Sequence, residues 1–99
     1  MHLKRLDAMI LRMLHRCRSA LFTSIHAMMQ SRRSVAAKRK FDADVTLNSI
    51  ARLREAGLIR MHADTDYCGR TFFLYSLTKS GARLAIKDAN LESTRHMRN

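Results

Sequence analysis

Apolar side chains return every three or four positions in the first part of the chain. They are Leu3, Leu6, Met9, Ile10, Met13, Leu14 and Cys17. Side chains at this spacing share one face of an α-helix, so the pattern predicts a helix over residues 3–18. The basic side chains of this segment fall mostly off the apolar stripe, and we therefore expect a positively charged outer face.

The same spacing continues after residue 22 and predicts a second helix. Its apolar residues are Ile25, Met28 and Met29. Thr23 or Ser24 can cap the first turn, and Leu21 and Phe22 can form a brief strand before it. Residues 31–40 follow with five basic side chains and no acid, which predicts a loop or an exposed extension of the helix.

A third helix is predicted over residues 45–56. Its apolar face, which we expect to pack inward, consists of Leu47, Ile50, Ala51 and Leu53. Asp42 or Asp44 can cap the N terminus, where a carboxylate also interacts favourably with the helix dipole. Gly57 can end the helix because glycine adopts left-handed backbone without strain. At 100° per residue, the opposite face then presents Val45, Asn48, Ser49 and Arg52.

A β-hairpin and a last helix follow. Leu58–Ala63 and Thr71–Leu77 have the apolar and β-prone content of strands, and the turn formers between them predict a tip of about seven residues, Asp64–Arg70. Thr78 can cap the last helix, which we expect to reach about Leu91.

The length and composition predict one domain. The chain has 99 residues, 46% of them apolar, with three Gly and no Pro, which favours helices over a turn-rich sandwich. We therefore expect a single domain over residues 1–91, mainly α with a small β-hairpin (α+β), and a frayed tail at 92–99. No apolar run approaches the ~20 residues that a membrane span needs.

Charge is the strongest compositional signal. The 19 Lys and Arg against 8 Asp and Glu give a net charge of +11. Residues 1–40 hold ten of the basic residues and one acid, so most of the excess lies in the first two helices and the segment after them. This distribution predicts an anionic partner, although a basic face can also serve solubility alone.

The residues that usually carry catalysis or bind metals show no supporting pattern. The five His are scattered, and neither a nucleophile elbow nor a phosphate-binding glycine loop is present. Cys17 and Cys68 lack CxxC spacing and neighbouring His, which argues against a metal site or a disulfide framework and fits a reducing cytoplasm. We expect no cofactor. The basic, amphipathic start also resembles a transit peptide, but Asp7 and the predicted place of this helix in the fold count against that reading.

Two helices followed by a hairpin suit double-stranded DNA. A helix fills the major groove, and a projecting hairpin can reach the neighbouring minor groove or the phosphates. On the predicted outer face, Asn48 can bond to adenine and Arg52, free of the core, to guanine. Ser49 can form a hydrogen bond with a base or a phosphate, and Val45 can contact a thymine methyl group. Polar residues also face outward on soluble helices that bind no DNA, so the hairpin and the basic segment strengthen this interpretation.

Two sequence runs resemble winged-helix transcriptional regulators of the PadR and MarR types. They are Arg52-Leu-Arg-Glu-Ala-Gly-Leu-Ile59 and, after the hairpin, Tyr75-Ser-Leu-Thr-Lys-Ser-Gly-Ala-Arg-Leu84. The resemblance covers roughly residues 20–86 and implies a winged helix-turn-helix fold. The stretch from Gln30 to Phe41 is longer than a tight helix-turn-helix turn, and the last helix is shorter than the long terminal helices through which these families usually dimerise.

The resemblance also implies which residues contact DNA. On the third helix they are Thr46, Asn48, Ser49 and Arg52, with Arg70 at the wing. Contacts to phosphates are implied for the basic segment, through Arg32, Arg33, Lys38, Arg39 and Lys40.

The leading hypothesis is a sequence-specific DNA-binding transcriptional regulator that is not an enzyme. We expect a homodimeric repressor on a palindromic site, in the cytoplasm of a bacterial, phage or plasmid context. One alternative is a small phage- or plasmid-type protein that uses a winged-helix scaffold to bind another protein. A further alternative is binding to RNA or to a replication origin.

Overall fold

Four helices and a three-stranded antiparallel sheet make up residues 3–32 and 41–87, the part of the chain that the computed structural model describes. The elements are α1 (Arg5–Cys17), β1 (Ser19–Ala20), α2 (Phe22–Ser31), α3 (Ala43–Glu55), β2 (Ile59–Thr65), β3 (Thr71–Leu77) and α4 (residues 79–87). Their order is the predicted one, and the predicted α+β class is confirmed.

Strand β3 lies at the centre of the sheet, between β1 and β2. The hairpin pairs Ile59 with Leu77 at its base and Thr65 with Thr71 near its tip. β1 pairs with the other edge of β3, where Ala20 lies opposite Tyr75. The short strand therefore ties the α1–α2 connection to the hairpin.

The connection between α1 and α2 differs from the prediction. Arg18 adopts a left-handed backbone conformation with φ 68°, which ends α1 and makes the next two residues extended. The strand is therefore Ser19–Ala20, and the prediction of a strand at Leu21–Phe22 was wrong. Leu21 is the N-cap of α2 without a side-chain cap, so the predicted caps at Thr23 and Ser24 were also wrong, because the helix begins before them.

The hydrophobic core lies between the first three helices and the sheet. Its buried members are Ile10, Leu11, Met13, Leu14, Ala20, Ile25, Met29, Phe41, Ile50, Leu53, Leu58, Ile59, Tyr75 and Ala85. Leu11 is buried, whereas Cys17, predicted on the apolar stripe of α1, is the last residue of that helix and is exposed. The inward face of α1 also includes Asp7, a charged residue that no apolar pattern can detect.

The hairpin and α4 are joined through a junction between Gly57–Leu58 and Thr78–Gly81. Gly57 has φ 73°, as its predicted role requires. The Thr78 hydroxyl donates to the Gly57 carbonyl at 2.6 Å and accepts from the Gly81 N–H at 3.1 Å. The Thr78 N–H donates to the Leu58 carbonyl at 3.1 Å. Thr78 thus caps α4, as predicted, and also connects it to the end of α3.

Several predictions concern residues outside the described part of the chain. They are the conformation of positions 33–40, the end of the last helix near residue 91 and the tail at 92–99. Within the described residues, none of the helices combines the length and the apolar character needed to cross a membrane.

Gly81→Ala should destabilise the protein, although alanine is the better helix former. A Cβ atom at position 81 would lie 1.9 Å from the Leu58 carbonyl oxygen, which is backbone that already accepts a hydrogen bond from Thr78. We expect a loss of about 1–3 kcal/mol in the free energy of unfolding, measured in urea, as for other overpacked sites. The exposed neighbour Ser80→Ala should change it by less than about 0.5 kcal/mol. Equal stability of the two variants would contradict this account of the junction.

Candidate nucleic-acid interface

Helix α3 begins at a cap that the sequence indicated. Asp42 is the N-cap, and its Oδ1 atom accepts a hydrogen bond from the Val45 N–H at 3.2 Å. Asp44 lies in the first turn, where a negative charge interacts favourably with the helix dipole. The helix therefore starts at Ala43, two residues before the predicted start.

The Asp7 carboxylate anchors α3 to α1. Asp7 is only 3% exposed, and its Oδ1 atom accepts hydrogen bonds from the Ser49 hydroxyl and from Arg52 Nη2, the latter at 2.9 Å. Its Oδ2 atom accepts from the Lys4 N–H at 3.3 Å and from Arg52 Nε at 3.4 Å. The carboxylate thus joins the first turn of α1 to two consecutive turns of α3.

The surroundings of Asp7 decide its charge. Burial raises the pKa of this carboxyl group, but the hydrogen bonds from Arg52 and Ser49, the positive charge of Arg52 and the Lys4 N–H together outweigh burial. The pKa of Asp7 is therefore lowered from its ordinary value of 3.8. The anchor is an ionised carboxylate at neutral pH, with a cation beside it.

A second polar contact joins α2 to the first turns of α3. Thr46 Oγ1 and His26 Nδ1 share a hydrogen bond of 2.8 Å. The His26 ring is stacked between Phe22, at a centroid distance of 6.0 Å, and Phe41, at 5.2 Å. Because Phe41 directly precedes Asp42, the N-cap of α3, this stack fixes the entry of the chain into the helix.

These contacts turn α3 relative to the predicted orientation. Its buried residues are Thr46, Ser49, Ile50 and Leu53. Thr46 and Ser49 are 0% exposed and cannot reach a base edge, so their assignment as base-reading residues was wrong. Leu47 and Ala51, predicted to pack inward, are exposed. The physical reason is that both buried polar side chains have hydrogen-bond partners on other helices, which allows them to be buried.

Arg52 is also placed differently from the prediction. Its side chain is 39% exposed, and two of its guanidinium nitrogens donate to Asp7. The expectation that it lies free of the core was therefore wrong. A guanidinium held in this way is not available for a two-pronged bond to guanine unless the Asp7 pair breaks.

The outer face of α3 is the part of the helix that solvent can reach. Its exposed residues are Ala43, Asp44, Val45, Leu47, Asn48, Ala51, Arg54 and Glu55. Val45 and Asn48 are exposed, as predicted. The outer face is therefore a mixture of alkyl groups and one amide, with a carboxylate in its first turn and a carboxylate and the Arg54 guanidinium in its last turn.

The hairpin β2–β3 projects as a wing with a structured tip. Asp66 Oδ1 accepts from the N–H groups of Cys68 and Arg70, each at 2.9 Å, and the Asp66 N–H donates to the Arg70 carbonyl at 3.0 Å. Gly69 supplies the positive φ that this turn needs. Strand β2 continues to Thr65, so the tip is shorter than the predicted seven residues. The side chain of Arg70 is exposed there, next to a fully exposed Tyr67.

A groove separates the last turns of α3 from the base of the wing. Its lining residues are Ala51, Arg54, Glu55, Ile59, Arg60 and Met61. Arg60 Nε donates to the Ser76 hydroxyl on β3 at 3.2 Å, which holds this cation on the sheet. Arg54 and Arg60 thus lie on the two sides of the groove. Neither arginine was among the predicted contacts. Arg54 precedes Gly57 by three positions, and Arg60 follows it by three.

The predicted phosphate-binding residues are only partly described. Arg32 is exposed at the C-cap of α2, and Arg70 is exposed at the wing tip. Arg33, Lys38, Arg39 and Lys40 lie outside the described residues. Cys17 and Cys68 are both exposed, each with a free thiol.

Comparison with known proteins finds relatives in structure only. No protein-family model and no curated protein matches the sequence. A mutant of Lactococcus lactis ZitR in its apo form matches with a TM-score of 0.64 and 19% identity, over 93% of this chain and 60% of that one. Bacillus subtilis PadR, solved in complex with operator DNA, matches with a TM-score of 0.64 and 17% identity, over 85% and 46%.

A third similar structure has nearly the length of this chain. The Thermoplasma acidophilum protein TA0346 matches with a TM-score of 0.67 and 14% identity, over 93% of this chain and 84% of that one. The chain spans about 60% of the ZitR chain and 46% of PadR. At these identities the likeness shows the fold, and the predicted resemblance to winged-helix regulators of the PadR type is confirmed at that level.

Removing the Asp7 carboxylate should destabilise the fold. In Asp7→Ala the buried Ser49 hydroxyl loses its acceptor and Arg52 loses its partner, so we expect a loss of about 1–3 kcal/mol in the free energy of unfolding at pH 7. Asp44→Ala removes an exposed carboxylate from the first turn of α3 and should have a much smaller effect. Urea unfolding of the three proteins measures both changes, and similar losses in the two variants would rule out Asp7 as the anchor.

The contribution of Asp7 should also depend on pH. Its pKa is lower in the folded state than its ordinary value of 3.8, so the stabilisation is fully present above that value and is lost as pH falls through the folded-state pKa. The difference in stability between the wild type and Asp7→Ala should therefore shrink in acid below pH ~3.8. A difference that stays constant into that range would contradict the ionised anchor.

Proposed function

We propose that this chain binds double-stranded DNA, with α3 in the major groove and residues 59–77 as a wing on the adjoining minor groove or phosphates. The observation that carries the proposal is the way in which α3 is held. Its inner face is fixed by buried polar contacts to α1 and α2, while Asn48 and the rest of the outer face stay open to solvent. A rigidly held helix with an open face has the shape that groove insertion requires.

The charge distribution supports the same partner. The net charge of +11 favours a polyanion, and exposed cations lie in the last turn of α3 and on the wing. Arg54 and Arg60 line the groove beside the wing, and Arg70 extends from the tip. We assign phosphate contacts to Arg70 and to the basic segment, Arg32, Arg33, Lys38, Arg39 and Lys40.

The structural neighbours add support for a role in regulation. PadR was solved on operator DNA, and this chain has the same fold over 85% of its length. We propose a cytoplasmic transcriptional regulator that acts as a homodimer and represses by occupying its site. A two-fold symmetric dimer would place two copies of α3 one helical turn of DNA apart, so the site would be an inverted repeat.

We assign base contacts to fewer residues than the sequence predicted. Val45 and Asn48 keep this role in the proposal, since both are exposed on α3. Arg52 acts mainly through Asp7 and orients the helix. Selection of duplexes from a random pool, at two salt concentrations, tests the proposal directly, and one enriched inverted repeat is the expected result.

Neutralising the basic segment should weaken binding to all duplexes alike. With Arg32, Arg33, Lys38, Arg39 and Lys40 replaced by Gln, the plot of log affinity against log salt should flatten by up to about 0.9 for each phosphate that the variant no longer neutralises, while the preferred sequence stays the same. The control exchanges Arg for Lys and Lys for Arg at these five positions and should keep the salt slope. An unchanged slope in the Gln variant would assign the segment to another partner, and no duplex binding by the wild type would favour a protein partner.

Asn48→Ala should reduce specificity without reducing stability. A bidentate amide bond to adenine contributes about 1–3 kcal/mol of discrimination, so affinity for the selected duplex should fall by that amount while affinity for random duplex is kept. Thermal unfolding should be unchanged because the side chain is exposed. Equal losses on both duplexes would mean that Asn48 contacts the DNA backbone and does not read a base.

A further inference from the structure

Three residues of the outer face form one continuous patch with an unusual chemistry. Leu47 and Ala51 are one helical turn apart, and Asn48 lies beside them on the same face. Leu47 is 43% exposed, a large alkyl side chain on a helix whose inner face buries Thr46 and Ser49. The patch therefore places an amide next to an isobutyl and a methyl group.

An A·T base pair presents the matching groups in the major groove. Adenine offers the N6 donor and the N7 acceptor, which together fit a carboxamide, and thymine offers its C5-methyl group on the same edge of the pair. A guanine presents two acceptors, N7 and O6, and suits a cation. The cation nearest the middle of α3, Arg52, is held by Asp7.

The neighbouring acid disfavours contact with guanine. Asp44 is exposed one turn before Asn48, and an ionised carboxylate only accepts hydrogen bonds. It would repel the two acceptors of guanine and can accept from the amino group of adenine or cytosine. The guanidinium of Arg54 could bond to guanine. It lies in the last turn of α3, however, where it lines the groove shared with β2.

We infer that α3 reads A·T pairs, with the Asn48 amide on adenine and the Leu47 and Ala51 side chains against thymine methyl groups. This inference rests on the proposed DNA binding and names the base pairs that it recognises. DNA is the occupant that the charge favours, because the patch lies beside the cations Arg54 and Arg60 on a chain with a net charge of +11.

The test uses thymine and uracil, which differ only by the methyl group. The duplex recovered by selection from a random pool is synthesised once with thymine and once with uracil throughout. Wild-type protein should bind the uracil duplex at least about fourfold more weakly, the factor that corresponds to ~0.8 kcal/mol for one buried methyl group. Leu47→Ala should bind the thymine duplex more weakly than the wild type and should discriminate less against uracil, while Ala51 keeps its own contact with a methyl group.

The control variant is Ile86→Ala. Ile86 is 47% exposed on α4, so the substitution removes a side chain of the same size and similar exposure from another element. This variant should keep the full preference for thymine, and thermal unfolding should show that both variants are folded.

The outcomes separate the inference from the proposed function. Specific, salt-dependent binding with equal affinity for the two duplexes, or with the same uracil effect in Leu47→Ala as in the wild type, would overturn the A·T inference and leave DNA binding in place. Recovery of a site composed of G·C pairs would do the same. Absence of duplex binding at low salt would overturn both.

Discussion

The orientation of α3 depends on one buried carboxylate. Asp7 lies on α1, yet its partners are Ser49 and Arg52, more than forty positions later in the chain. A buried carboxylate without partners would be strongly unfavourable, so these donors must face it whenever the protein is folded. This requirement determines the rotation of α3 about its axis, and the rotation determines which side chains remain outside.

The contact between Thr46 and His26 acts in the same direction from α2. Together with the Phe22–His26–Phe41 stack, it positions the first turns of α3, while Asp7 positions the middle. Both are directional polar contacts, unlike the apolar packing of Ile50 and Leu53, which tolerates small rotations. A helix held in this way can present its outer face to a groove without reordering, which reduces the entropic cost of specific binding.

The wing is built on a different principle. Strand β2 is exposed along most of its length, and the tip is organised by its own hydrogen bonds around Asp66. Its base is attached to the core through Thr78 and Gly81, where the carbonyls of Gly57 and Leu58 approach the start of α4 closely. The hairpin is therefore locally ordered and anchored at one end, which suits the contacts to the minor groove or phosphates that we propose for it.

The sequence by itself determined the order of the elements, the α+β class and the bounds of β3. These features depend on local signals: apolar spacing, the cap at Asp42, the left-handed Gly57 and the turn formers around Asp66. It also determined the basic character of the surface. Tertiary structure alone decided which face of α3 is buried. Thr46 and Ser49 are polar, so the hydropathy pattern places them on the outer face, and their hydrogen-bond partners lie on α2 and α1. The exposure of Leu47 and the pairing of Arg52 follow from the same cause, since a hydrogen bond to a distant carboxylate outweighs the periodicity of a single helix.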